Sequence, residues 1–413
     1  MIGNQNIINI DLPVSKSVLN RLLIISTICR DKVYFDEYSN CKDIRTLTDN
    51  LQILGWQVIR ENDAFCLQQQ TEVRSAGLKI IDSATALRFL VARLCVWDGI
   101  SSELDASEQL AARPISSFLH LLRRMGAQIT GENYPYQIYG KKLEGGSFSI
   151  SADVSSQFIS AILLVAPLFK KGLHLKLTGN IVSKGYIELT KKMMEKFGVK
   201  VNSGKDFFEV EKNSEYRWQG VYHIEPDFSS ACYFWALGAL SGQWIATKTE
   251  TEGTLQPDFQ FTRILSEMGA EVEINQREVR VRVGQLRGIE VDMSQMPDQV
   301  PTLAALAVFA LTPTKIENIA HLKYKESDRI NSVCQELSKL GVKIRRTENS
   351  ITIFPSQNLN SQICFFSHHD HRIAMSLAII KMKIPTIRIL GSEAVEKSFP
   401  SFWTQFDRLK RKS

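Results

Sequence analysis

Basic and hydroxyl side chains gather in short runs of this chain that read as helix starts. Ser15-Lys16-Ser17 is followed by Arg21, Arg113 stands before Pro114, which is expected in the first turn of a helix, and Ser155-Ser156-Gln157 opens an apolar stretch. Lys325-Glu326-Ser327-Asp328-Arg329 is the densest charged cluster, and Asp370-His371-Arg372 and Lys397-Ser398-Phe399-Pro400 complete the set. The first turn of a helix exposes backbone N–H groups and the positive end of the macrodipole, so it favours an anion. Serine and aspartate there are ordinary caps. Lysine and arginine add positive charge to a positive pole, and a bound anion would account for them. Phosphate and carboxylate are the anions that such side chains bind best. Any one run, taken alone, is equally a capped and solvated helix end. The tract His368 to Arg372 also resembles a metal site, but no cysteine or acidic partner stands at a recognised ligand spacing and Arg372 would repel a cation, so no metal is expected.

An internal repeat supplies the elements that would carry these runs. Leu51 to Val58, Leu122 to Ile129, Met194 to Val201, Leu265 to Val272 and Leu337 to Ile344 each read as a helix end, a glycine and a strand. The glycines Gly55, Gly126, Gly198, Gly269 and Gly341 are 71, 72, 71 and 72 residues apart, and each is expected to take the left-handed conformation that ends a helix. A further helix starts near Ser15, Ser83, Ser155, Phe228, Gln299 and His369, again one repeat apart. The chain therefore reads as six α/β units of two helices and several strands. The sixth, from about His368, stops at Ser413 before reaching its glycine, and the N-terminal strand Asn6 to Leu12, which belongs to no other unit, is expected to complete it. Both termini then fall in one domain, residues 1–13 plus 226–413. Residues 14–225 form the other, and the chain crosses between them near Pro13 and Pro226.

Composition bounds the function classes. At 413 residues, with 44% hydrophobic and 23% charged residues, the chain suits two globular domains. Its longest apolar stretch, Phe158 to Phe169, falls short of the roughly 20 residues that span a bilayer, so no membrane is expected. The start lacks a charged leader with an apolar core, and the seven cysteines are scattered singly, which suits a reduced, cytoplasmic protein. A net charge of +6 is too mild to imply nucleic acid.

Taken in order, Ser15-Lys-Ser-Val-Leu-Asn-Arg21, Thr85-Ala-Leu-Arg88, Arg113-Pro-Ile115, Ser155-Ser-Gln157, Val182-Ser-Lys184, Pro297-Asp298, Lys325-Glu-Ser-Asp-Arg329, Asp370-His-Arg372 and Lys397-Ser-Phe-Pro400 resemble the enolpyruvyl transferase family, in its branch that acts on shikimate 3-phosphate. The resemblance covers nearly the whole chain. It implies an inside-out α/β barrel fold (α+β): two similar domains, each of three βαβαββ units, closing over the substrates at a two-crossover hinge. The implied reaction moves the enolpyruvyl group of phosphoenolpyruvate to the 5-hydroxyl of shikimate 3-phosphate and releases phosphate, on the route to chorismate and the aromatic amino acids. Neither metal nor organic cofactor is implied, and the family's usual state is a monomer.

Matching motifs carry roles onto this chain. Lys16, Ser17, Arg21, Ser155, Ser156, Gln157, Ser183, Asp298 and Lys325 would hold shikimate 3-phosphate, mainly from the first domain. Lys16, Ala84, Arg113, Gln157, Arg329, Arg372 and Lys397 would hold phosphoenolpyruvate, to which the second domain's contacts are mainly made. Asp298 would take the proton of the attacking hydroxyl, while Lys16 and Glu326 would move protons at the enol carbons and the leaving group. Asp82, Thr85, His321 and His371 would stand behind them, His371 close to Glu326.

Departures from the pattern are local. The family usually has Asn-Ala-Gly-Thr or Ser-Gly-Thr where this chain has Asp82-Ser83-Ala84-Thr85; Val14 replaces a glycine, and His321 an asparagine that often contacts substrate. Two rival readings share the fold. The sister enzyme of UDP-N-acetylglucosamine has Lys-Asn in its first motif and a reactive cysteine before its Arg-Pro-like segment, whereas Ser101 to Ala112 contains none. The other rival is a non-catalytic anion-binding relative, against which Lys16, Asp298, Glu326 and Arg329 all stand. Ala84 places a methyl group where the family's glycine lets phosphoenolpyruvate, or the inhibitor glyphosate, approach the backbone. We expect this chain to be less sensitive to glyphosate than its Ala84→Gly variant, with activity kept; equal inhibition constants for the two would contradict this.

Overall fold

The computed structural model describes residues 7–249 and 251–410. The chain divides into two compact units, Val14–Ile224 and Met1–Pro13 with Glu225–Ser413. Glu225, expected in the first, belongs to the second, because its carboxylate accepts from Thr254 Oγ1 at 2.5 Å, Gln256 Nε2 at 3.1 Å and the Leu255 amide at 3.3 Å.

The repeat is visible as one sheet pattern used five times. In the second repeat, strand Ala76–Ile80 runs parallel to Ser101–Ala106, which pairs antiparallel with Tyr136–Tyr139, and that strand with Gln128–Thr130. Helix Ala84–Cys95 joins the parallel pair, and helix Ser116–Arg124 leads into the hairpin. The order is βαβαββ, and each of the other four-stranded sheets has its strands in the same arrangement.

The two helices of a repeat differ in kind. Helices Lys16–Ser26, Ala84–Cys95 and Ser156–Val165 in one unit, and Phe228–Gly238, Val300–Ala307 and His371–Lys383 in the other, are buried on nearly every face. A helix apolar all round has to lie inside, and within each unit these three pack on one another. Helices such as Ser116–Arg124 and Phe261–Met268 instead bury a single stripe. Ser15, Ser83, Ser155, Asp227 and Asp370 cap five of the inner helices, each with a side-chain oxygen accepting a backbone N–H. Several of the hydroxyl and basic runs of the sequence therefore sit at the starts of buried helices. No described helix is long and apolar enough to cross a membrane.

The sixth repeat departs from expectation. It holds the parallel pair Cys364–Phe366 and Arg388–Leu390 around helix His371–Lys383 and ends in helix Phe402–Lys410. The N-terminal strand does not complete it. Strand Ile7–Ile10 runs parallel to Trp244–Lys248 in the fourth repeat, with Ile8 opposite Ile245; Asn6, the expected start of that strand, lies outside the described residues. The cause is an exchange of opening strands. Val221–Tyr222, which leads into the fourth repeat's helix, pairs with Tyr34–Phe35 of the first repeat, so the fourth repeat takes its first strand from the N-terminus instead.

All five helix-ending glycines have positive φ, from 81° to 103°. Their surroundings differ: a Cβ on Gly269 would meet the Gln285 carbonyl oxygen at 2.5 Å, whereas one on Gly126 would find nothing within 4 Å. We expect Gly126→Ala to cost about 1–2 kcal/mol from backbone strain, and Gly269→Ala a further 1–3 kcal/mol or so from the clash. Urea unfolding of the two variants checks this, and equal losses would contradict it.

Candidate active site

In unit Val14–Ile224 most of the predicted residues lie in the first turns of the inner helices or just before them. Lys16 sits in the first turn of Lys16–Ser26, and its Nζ lies 2.6 Å from Asp43 Oδ2 at the start of helix Lys42–Ile53. Arg21, one turn further on, is fully buried. Its Nε donates to Thr190 Oγ1 at 2.7 Å, and its two NH groups donate to the Ser17 and Tyr186 carbonyls at 2.7 and 3.0 Å. All of these acceptors are neutral, and burial pushes its pKa down to about 10. Gln157 bridges two helices: Oε1 accepts from Arg88 NH1 at 2.6 Å and Nε2 donates to Thr85 Oγ1 at 2.9 Å. Arg88 is buried over the Phe158 ring, with Nε unpartnered; burial first, and the Arg113 charge second, push it down to about 9. The result is a patch of guanidinium charge with too little negative charge of its own, which an anion would relieve.

Other predicted residues of this unit are placed around that network. Ser155 caps its helix through the Gln157 amide, and Ser156 is buried behind it. Ser183 heads helix Lys184–Lys196 with φ 53°. Asp82, at φ 62°, accepts from Ser107 Oγ at 3.3 Å, and Ala84 begins its helix, buried. Pro114, expected in a first helical turn, instead precedes the cap: Ile115 has a non-helical φ of −140° and the helix starts at Ser116, so Arg113 lies on the preceding turn.

In unit Met1–Pro13 with Glu225–Ser413 the predicted residues converge. Asp298, on the short turn Pro297–Gln299, accepts from Arg329 NH1 at 2.8 Å, Lys325 Nζ at 3.4 Å and Arg372 NH2 at 3.2 Å. Arg329 also grips Asp370 with Nε at 2.8 Å and NH2 at 3.2 Å. Burial alone would lower its pKa, but Asp370 and Asp298 raise it above the ordinary value. Asp370 is the converse case: burial favours its neutral form, yet the charge and hydrogen bonds of Arg329 with the charge of His371 together hold the carboxyl below the usual range. Glu326 Oε2 lies 3.0 Å from both His371 Nδ1 and Lys397 Nζ. His321 is buried with Nε2 unpartnered, and desolvation followed by the Lys325 charge lowers it to about 4. It is neutral at physiological pH.

Glu326, Asp370 and His371 bring possible metal-ligand atoms within 4.8 Å of one another. Glu326 and Asp370 already pair with Lys397 and Arg329, cations that occupy the place of a metal's charge. What the group can do is bind anions and move protons. Three participants were not singled out from sequence. Arg88 and Asp370 lay inside quoted motifs, whereas Tyr233, whose OH accepts from Arg372 NH1 at 3.1 Å, gave no signal because it sits mid-way along an apolar helix.

Comparison with known proteins bears on this geometry. The model of the family described as EPSP synthase (3-phosphoshikimate 1-carboxyvinyltransferase) matches residues 6–406. The chain belongs to the EPSP synthase family. Relatives named 3-phosphoshikimate 1-carboxyvinyltransferase include one from Photobacterium damsela subsp. piscicida, 34% identical over 98% of both chains. Another, from Yersinia pestis bv. Antiqua (strain Angola), is 32% identical over 97% of this chain and 96% of its own. Among solved structures, the EPSP synthase from Acinetobacter baumannii superposes with a TM-score of 0.79 at 23% identity, covering 98% of this chain and 96% of that one. The enolpyruvyl transferase NikO from Streptomyces tendae gives 0.75 at 13% identity, covering 98% and 95%. The two-domain enolpyruvyl transferase fold is thereby shown.

His321 yields a test specific to this member of the EPSP synthase family. Its folded pKa, about 4, lies below the usual 6.5, so the unfolded chain takes up the proton first. Stability present above pH 6.5 is then lost as the pH falls toward 4, by up to about 3 kcal/mol. Urea unfolding at pH 7 and pH 4.5 should show the native chain losing more than His321→Asn; identical losses would contradict this.

Proposed function

We propose that this chain transfers the enolpyruvyl group of phosphoenolpyruvate to the 5-hydroxyl of shikimate 3-phosphate, releasing inorganic phosphate. The observation that carries the reading is the group around Asp298, a carboxylate bonded to Arg329, Lys325 and Arg372, with the Glu326, His371 and Lys397 triplet at the same helix ends. Each substrate carries a phosphate and a carboxylate, about three negative charges near neutral pH, which is the cargo such cations suit. The names of the relatives do not favour the UDP-N-acetylglucosamine alternative.

The residues of Val14–Ile224 (Lys16, Ser17, Arg21, Ser155, Ser156, Gln157, Ser183), with Asp298 and Lys325, hold shikimate 3-phosphate. Arg329, Arg372 and Lys397, with Lys16, Ala84, Arg113 and Gln157, hold phosphoenolpyruvate. As the guanidinium groups turn to the incoming anion, Asp298 loses countercharge and becomes the better proton acceptor. It takes the 5-hydroxyl proton as the oxygen bonds to C2, while C3 receives a proton from Lys16 or Glu326. The group that protonated C3 then takes a proton back from it as the C2–O bond to phosphate breaks, which forms the enol ether and frees phosphate. His371 orients Glu326; Asp82, Thr85 and His321 support the neighbouring groups. The reaction is placed in the cytoplasm, in a monomer, without metal, organic cofactor or nucleic acid.

Phosphate release from the two substrates tests this. Turnover is expected for the native chain, with kcat down about 10²-fold or more in Asp298→Ala and Glu326→Ala. No release by the native chain, or release with UDP-N-acetylglucosamine in place of shikimate 3-phosphate, would overturn the reading.

A further inference from the structure

His368 and His369, two neighbours of the functional group with no part in the proposed chemistry, are held in an unfavourable backbone conformation. Their φ angles are 54° and 53°, and they form the turn that delivers Asp370, His371 and Arg372. Consecutive left-handed residues that are not glycine cost conformational energy, and such turns persist only when their surroundings enforce them. Here the enforcing group is Glu336. It is wholly buried on helix Arg329–Ser338; Oε2 accepts the Phe366 amide at 2.9 Å and Lys339 Nζ at 2.6 Å, and Oε1 lies 2.9 Å from His368 Nε2. Inside the turn, Ser367 Oγ accepts the His369 amide at 3.2 Å, and the Asp370 amide returns to the Ser367 carbonyl at 3.0 Å.

The same helix grips the segment at a second point. Arg329, at its start, holds Asp370, and Glu336, seven residues later on the same buried face, holds Phe366 and His368. A two-point clamp fixes both the position and the rotation of what it holds. We propose that Glu336 is a positioning residue: it locks the His368–His369 turn left-handed and so sets the direction from which Arg372 and His371 address phosphoenolpyruvate. This rests on the assignment of Arg372 under the proposed function.

Steady-state kinetics on the full chain, with thermal melts, provide the test. Glu336→Ala should raise KM for phosphoenolpyruvate about tenfold, leave KM for shikimate 3-phosphate within about twofold, and regain most of the loss when combined with His368→Gly, since glycine is left-handed without help. Glu336→Gln, which keeps an acceptor for Phe366, should stay near native. A folded Glu336→Ala with both constants unchanged, or with both raised alike, overturns the proposal. If Glu336→Ala does not fold, His368→Val carries the same expectation, and an unchanged KM for phosphoenolpyruvate overturns it equally. Should the native chain prove inactive, the functional reading fails, and φ of residue 368 in crystals of Glu336→Ala judges the clamp alone: a positive value overturns it, and relaxation to negative φ supports it.

Discussion

A guanidinium group removed from water needs acceptors where it lies, and Arg329 meets this demand with carboxylates from two other elements. Asp370 comes from the cap of helix His371–Lys383 and Asp298 from the turn before Val300–Ala307, while Arg329 itself opens helix Arg329–Ser338. Three helix starts are thus tied by one residue. Asp370 accepts as well from the Ser327 hydroxyl and amide and from the Arg372 amide, so its buried charge is fully matched. Removing one partner of such a pair strands the other and costs about 3–5 kcal/mol. Lys325 and Arg372 share Asp298 with this core, and Lys397 pairs with Glu326 beside it.

The two units solve the same electrostatic problem in opposite ways. Around Arg329 the protein supplies its own anions, which raise the affinity of the guanidinium for its proton. In the other unit Arg21, Arg88 and Arg93 are equally buried but rely on hydroxyls, carbonyls, an amide and aromatic rings, and burial lowers all three. Arg93 holds the Thr27 carbonyl at the C-terminal end of helix Lys16–Ser26, where a cation complements the dipole. Arg21 is the middle residue of its helix and Arg88 the fifth of twelve in its own, so neither gains from that pole. Their positions make sense with an anion as the missing partner, whereas an anion reaching Arg329 and Arg372 must compete with Asp298.

Much of this was legible in the chain because it is written locally. The glycine spacing announced the repeats, since only glycine ends a helix left-handed without strain, and the capping serines and aspartates marked the inner helices to within a residue or two. Strand exchange was not legible. Ile7–Ile10 has the same alternation whichever sheet receives it, and its partner is decided by where Val221–Tyr222 goes, some 210 residues away. Tyr233 was hidden for a related reason, because an aromatic residue in an apolar helix carries no mark of the one polar contact its hydroxyl makes.

By itself, the sequence determined the period of the repeats, the residues that begin each inner helix and the type of charge collected there. These follow from short-range rules of capping, helix dipoles and left-handed glycine. Tertiary structure alone decided which charges neutralise one another: that Asp298 binds three cations, that Lys16 pairs with Asp43, and that Glu336 holds a strained turn from two helical turns beyond Arg329. The physical reason is range. A cap is satisfied within three residues, but a buried charge is satisfied only by whatever the folded chain brings within about 3 Å of it.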